Sequence, residues 1–198
     1  MADDSANITV AYGDESVRMV GDPPFYMLGV CLLGDVPDST FEELAKVMPP
    51  GARKLHWRGM SQGLQRESLR LISGIERVDL VVIAAPLDGK KQERARRKCL
   101  EALLPELERR GIEEVVLESR GVATDKLDLN YTKFAKGSKI VKSISVSHEE
   151  GSAEPRLWLA DQVVGAMGDY LTQTSNWKHW KPEWEAMSPR IERIDVSL

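Results

Sequence analysis

The chain has 198 residues, 42% of them hydrophobic, and a formal net charge of −4. That length builds one substantial core rather than two, and the acidic balance excludes a protein that coats nucleic acid non-specifically, because such binding is made of many Lys and Arg contacts to phosphate. No stretch approaches the roughly 18 apolar residues of a membrane span, and the acidic start MADDSANITV lacks the basic and apolar regions of a secretion signal, so the expectation is a cytoplasmic protein with no membrane partner.

Residues 7–13 (NITVAYG) alternate as a strand does, ending at Asp14-Glu15-Ser16. A turn over 21–24 leads to FYMLGVCLL (25–33), apolar on both faces, and the two segments read as a hairpin. Ser39 with Glu42 three residues on spells a capping box ahead of Phe41, Leu44, Ala45 and Met48 at helical spacing, and Pro49-Pro50-Gly51 stops that helix. RKLHW (53–57) reads as a short extended piece, and 61–73 as a second helix carrying Leu64, Leu71 and Ile72.

VDLVVIAA (78–85) is the third strand. A helix over 89–110 sets Ala95, Cys99, Leu103 and Leu107 on one stripe and Lys90, Lys91, Arg94, Arg97 and Lys98 on another, before Gly111. IEEVVLE (112–118) is a fourth strand reached through a helix, hence parallel in the sheet. Residues 119–139 are polar, with a short helix expected near 127–135, and KIVKSISVS (139–147) alternates as a fifth strand. Pro155 opens a helix that runs to 171. Cys31 and Cys99 show no CxxC spacing and are expected as reduced core residues. The fold class is α/β, a mixed five-stranded sheet with flanking helices over 1–171; residues 172–198 form a tail whose Trp177, Trp180 and Trp184 pack on the body or across a homodimer.

Asp161 stands in a helix that is otherwise apolar almost all round: Leu157, Trp158, Leu159, Val163, Val164 and Met167 surround it. A buried ionised carboxylate costs several kcal/mol unless it is paired or bound to metal. Gly165 and Gly168, one and two turns on, each cost about 1 kcal/mol in helix propensity, which implies either tight packing on the sheet or room for a ligand. Asp14 and Glu118 each follow an apolar strand, and the carboxyl ends of strands in an open α/β sheet form its ligand crevice. Carboxylates gathered there repel one another, and a hard divalent cation, Mg²⁺ or Mn²⁺, relieves the repulsion. Oxygen-only ligands point away from zinc.

The order of hairpin, third strand, long helix, fourth strand, fifth strand and final helix, with acids at Asp14, Glu118 and Asp161, resembles the RNase H fold. The spelling YGDES ahead of an apolar hairpin, with the late LWLADQVVGA, is similar to the bacterial and phage family called domain of unknown function thirty-eight hundred, over about residues 8–171. That family's pattern is DES or DESG, a strand-end acid and a helix of the form LQLADxxAGA. This chain departs from it with Val17 after DES and with Glu118 where Asp is commoner. The resemblance implies an RNase H-like fold and a metal-dependent nuclease acting on RNA or DNA, with Asp14, Glu118 and Asp161 as metal ligands and catalytic residues, and Glu15 or His148 in support. By the same resemblance Glu93 is a candidate counterpart of the glutamate on the first long helix, His148 of a mobile histidine, and His56 of a histidine lining the cleft.

Each residue also has a plainer reading. Asp14-Glu15-Ser16 fits a polar turn, and Asp161 fits a carboxylate paired with Arg156 or Lys139. Glu118 fits a solvated strand end, His148 a loop histidine between acids, and the basic stripe of 90–98 a solvated helix face. The alternative function is therefore a non-catalytic module of the same fold that binds a protein or nucleic-acid partner.

Overall fold

A computed structural model describes residues 8–174 and 176–198; the acidic start and Asn7, the first residue of the expected opening strand, lie outside them. Strands β1 (Val10–Arg18), β2 (Phe25–Leu33) and β3 (Arg77–Ala85) form an antiparallel meander. Outside β1 lie β4 (Glu114–Glu118) and β5 (Ser145–Glu149), both parallel to it. The sheet is mixed and has six strands rather than five, in the order β5-β4-β1-β2-β3-β6, because β6 (Ile191–Ser197) joins β3 in parallel. Its Ile191, Ile194 and Val196 are the half-buried positions, and their spacing breaks the strict period of two that marks a strand in sequence.

All nine residues of β2 are buried, since helices cover both faces of the sheet. One face packs on α1 (Asp38–Ala45), α2 (Gln62–Ser73), α5 (Leu157–Leu171) and α6 (Lys181–Met187); the other packs on α3 (Gln92–Arg109) and α4 (Val122–Gly137). Cys31 lies in the first core and Cys99 in the second, both as free thiols. Among the described residues no helix is long and apolar enough to cross a membrane.

Three local expectations are corrected. The capping box at Ser39 and Glu42 is not made, because α1 already begins at Asp38 behind Pro37 and has no side-chain cap. The helix of 119–139 is longer than 127–135 and fills Val122–Gly137. The fifth strand begins at Ser145 rather than 139: Lys139 takes a positive φ of 59°, and the N–H groups of Lys142, Ser143 and Ile144 donate to the Glu108 carboxylate at 2.7–3.0 Å instead of to a neighbouring strand.

Trp180 and Trp184 are buried in the core of their own chain, and the Trp180 ring meets Trp57 edge-on at 5.2 Å. Helix α5 approaches the sheet closely. A Cβ at Gly29 of β2 would fall 2.4 Å from Val164 Cγ1, and one at Gly165 of α5 would fall 2.3 Å from the Trp57 ring.

Candidate functional site

Strand alternation decides which acids meet. Tyr12 and Val116 are register partners on the α5 face of the sheet, and two residues further along each strand Asp14 and Glu118 emerge on the same face. The pairing Gly13↔Leu117 sets them side by side, and Asp14 lies opposite Gly29. Asp161, on the second turn of α5, comes down over them. The carboxyl of Asp14 is pushed well above the usual carboxylate range, first by burial and then by the charges of Asp161 and Glu118. The three acids that the sequence singled out therefore share one electrostatic neighbourhood.

Asp161 is 5% exposed, and neither Arg156 nor Lys139 compensates it. Its Oδ1 pairs with His56 Nδ1 at 2.8 Å, while Oδ2 accepts from the Trp57 backbone N–H at 2.7 Å and from Gln162 Nε2 at 3.0 Å. The hydrogen bond to Asp161 raises the His56 imidazole above its ordinary value. Glu118 accepts from the Lys54 ammonium. Burial pulls the Lys54 pKa down, but the bond to Glu118 and the charges of Asp14 and Asp161 hold it above the ordinary lysine value. Among the described residues, no three His, Cys, Asp or Glu side chains form a ready-made metal-ligand cluster; the cation among these carboxylates is Lys54.

Lys54 and His56 come from the connection ahead of a 3-10 turn at Trp57–Gly59, so that residues 53–57 are bent rather than one extended piece; Leu55 and Trp57 are buried while Lys54 and His56 turn to the carboxylates. Trp57 clamps this piece to α5, donating its N–H to Asp161 and its Nε1 to Asp169 at 2.9 Å. The two helix glycines thus serve packing: the space at Gly165 is filled by the Trp57 indole, and that at Gly168 by the Arg18 guanidinium, whose Nε would lie 2.3 Å from an added Cβ. Lys54 was not read as a site residue from sequence. Its signal was the alternation in RKLHW, which aims positions 54 and 56 the same way.

The remaining candidates fall elsewhere. Glu15, one residue on from Asp14, faces the α3 side and takes hydrogen bonds from Arg96 and Tyr26. His148, register partner of Leu117 on that same opposite face, bonds Asp128 at 2.9 Å. Asp128 also accepts from Arg96, and these bonds hold its carboxyl below the usual range against the opposing effect of burial. Glu93 pairs with Arg120 at 2.6 Å on the same side. Glu15, His148 and Glu93 are therefore members of a compensated ion network on the α3 side of the sheet, although Glu15, at the end of the network, also lines the cleft beside Asp161. Of the basic stripe, Arg97 and Lys98 are both engaged by Glu101 and Lys91 by Asp88.

A polar cleft of about 410 Å³ opens beside Asp161, walled by Arg18, His56, Trp57, Arg58 and Gln92. Comparison with protein families and with curated proteins finds no match to this chain.

Proposed function

We propose that Asp14, Glu118 and Asp161 bind Mg²⁺ or Mn²⁺ in an RNase H-like phosphodiesterase acting on nucleic acid, RNA or DNA. The observation that carries this reading is the gathering of three carboxylates on the α5 face, of which Asp14 makes no ion pair among the described residues and is driven toward its protonated form first by burial and then by the charges of Asp161 and Glu118. The donor set is hard oxygen, which suits these ions. Fold order supports it too. A three-stranded antiparallel unit, a helix, two further parallel strands and a last helix that carries an acid resemble the RNase H order, with α1 and α2 inserted between β2 and β3 and β6 added at the β3 edge.

When bound, such an ion supplies an activated water and a Lewis acid for the phosphodiester. The chain's own residues do the positioning. His56 and the Trp57 N–H fix the Asp161 carboxylate and still leave it lone pairs for a further partner, since a carboxylate offers about four acceptor sites. The Lys54 ammonium, hydrogen-bonded to Glu118, offsets the charge of the acids. Burial under α5 keeps bulk water from screening the three charges.

The rival reading, a non-catalytic binding module, is favoured by the pairings Lys54–Glu118 and His56–Asp161, which already offset two of the three acids. Calorimetric titration with Mn²⁺ decides between them. The metal reading expects saturable binding in wild type, lost in Asp14→Ala and in Asp161→Ala, with metal-dependent cleavage of labelled strands. No binding in wild type, or binding unchanged in both variants, selects the module.

A further inference from the structure

We infer that the cleft beside Asp161 is a subsite for a backbone phosphate of single-stranded nucleic acid, with Arg58 as its principal contact. The inference rests on the proposed reading of the carboxylates, and it names the form of substrate and the direction in which the strand leaves them.

The charges on the cleft wall are unequally committed. Its two carboxylates are already compensated, Asp161 by His56 and the Trp57 N–H, and Glu15 by Arg96. Arg18 is committed to Asp169 at 3.3 Å, to the Gly165 carbonyl and to Ser16. Arg58 is different. It is exposed, makes no ion pair among the described residues, and is held at the cleft by a single hydrogen bond from one of its terminal nitrogens to the Val17 carbonyl at 3.0 Å. The other guanidinium donors remain for an anion, and a planar fork of donors is the group best matched to phosphate. His56 lies on the same wall with its Nδ1 already taken by Asp161, so among the described residues Arg58 is the wall's uncommitted cation.

Size and surroundings set the kind of ligand. A cleft of about 410 Å³ falls at the small end of ligand sites and holds about one nucleotide. A duplex would call on a broad basic surface, whereas Arg97 and Lys98 of α3 are engaged by Glu101, Arg96 is engaged by Asp128 and Glu15, and the chain is acidic overall. One flexible strand can lay one phosphate over the carboxylates and the next in the cleft.

The test is fluorescence anisotropy with a labelled ten-nucleotide single strand, in EDTA so that strand binding is read apart from metal. The comparison is wild type against Arg58→Ala, Arg58→Glu and Arg58→Lys, with Mn²⁺ calorimetry on each protein. Expected are a loss of affinity of about tenfold in Arg58→Ala, a larger loss in Arg58→Glu, partial recovery in Arg58→Lys, and a salt slope shallower by about 0.7 in Arg58→Ala, the value for one phosphate contact on a single strand. Mn²⁺ binding should be unchanged in all three, which also reports that they fold. Affinity and salt slope equal to wild type in Arg58→Ala, or no strand binding by wild type, overturn the subsite whatever the metal result. Equal or tighter Arg58-dependent binding of a duplex overturns the single-strand assignment. Arg58-dependent strand binding without any Mn²⁺ binding keeps the subsite and removes the metal reading.

Discussion

Lys54→Met keeps the aliphatic stem and removes the ammonium, so Asp14, Glu118 and Asp161 lose the cation that lies among them. A divalent ion then no longer competes with a tethered one, and Mn²⁺ affinity is expected to rise about tenfold, or 1.4 kcal/mol, in calorimetry; unchanged or weaker binding would mean that the lysine helps to hold the metal. The converse change acts on stability. Because the folded-state pKa of Asp14 is raised, its protonation favours the folded protein: this contribution is complete below the ordinary carboxylate range and is lost as pH rises through the raised value. Metal-free Asp14→Asn should therefore melt about 2–4 °C above wild type at pH 7, roughly 1 kcal/mol for a chain of this size, and the gap should close as pH falls toward 4. At this scale the sequence was informative about the acids, since strand ends and an apolar helix make a lone carboxylate conspicuous. For Lys54 it offered only the alternation in RKLHW, too short a pattern to set one lysine between two helices apart from any solvated one. Strand alternation turns the Glu15 side chain toward Arg96, although it is the residue next to Asp14, and His148 turns toward Asp128 by the same alternation on β5.

Helix α5 and the 53–57 segment lock through Trp57, which fills the notch at Gly165. Gly165→Ala sets a methyl 2.3 Å from the indole and is expected to cost about 1–3 kcal/mol as an overpacked contact. By moving the Trp57 N–H from Asp161 it should also weaken Mn²⁺ binding, and denaturant melts with calorimetry read both effects. A change in stability with metal affinity intact would separate the clamp from the carboxylate. The periodicity of α5 was plain in the sequence, and its glycines raised the right question. Which partner filled them was not legible, because Trp57 arrives from a segment more than 100 residues away. The late start of β5 has a similar cause: the alternation of Ile144 and Val146 runs on from the apolar Ile140-Val141 pair, but Glu108 captures the backbone donors of Lys142, Ser143 and Ile144.

Over the whole molecule, the tail of 172–198 is built into the body. It supplies β6 along the β3 edge and places Trp180 and Trp184 in the core beneath α5 and α2. Removing a buried tryptophan side chain costs about 3–5 kcal/mol, against a total stability of about 5–15 kcal/mol for a typical protein. Deleting 172–198 should therefore abolish cooperative unfolding and expose dye-binding apolar surface, as measured by thermal melts and ANS fluorescence; a truncated chain that melts like wild type would make the tail a separate appendage. The hairpin of β1 and β2 and the existence of β3 and β4 could be read because each carries an apolar run bounded by turns or a helix end. The sixth strand was not, because IERIDVS carries charged residues along an outer edge and follows a segment dominated by aromatics.

Gly29 sets the width of the gap between the sheet and the helix above it. With no side chain there, Val164 rests almost on the backbone of β2, directly across from Asp14, and the carboxylate one turn earlier on the same helix is lowered with it. The distance between the two acids is thus gauged by an atom that is missing, so a single methyl at position 29 would act as a shim, widening the seat for any ion without altering one of its ligands.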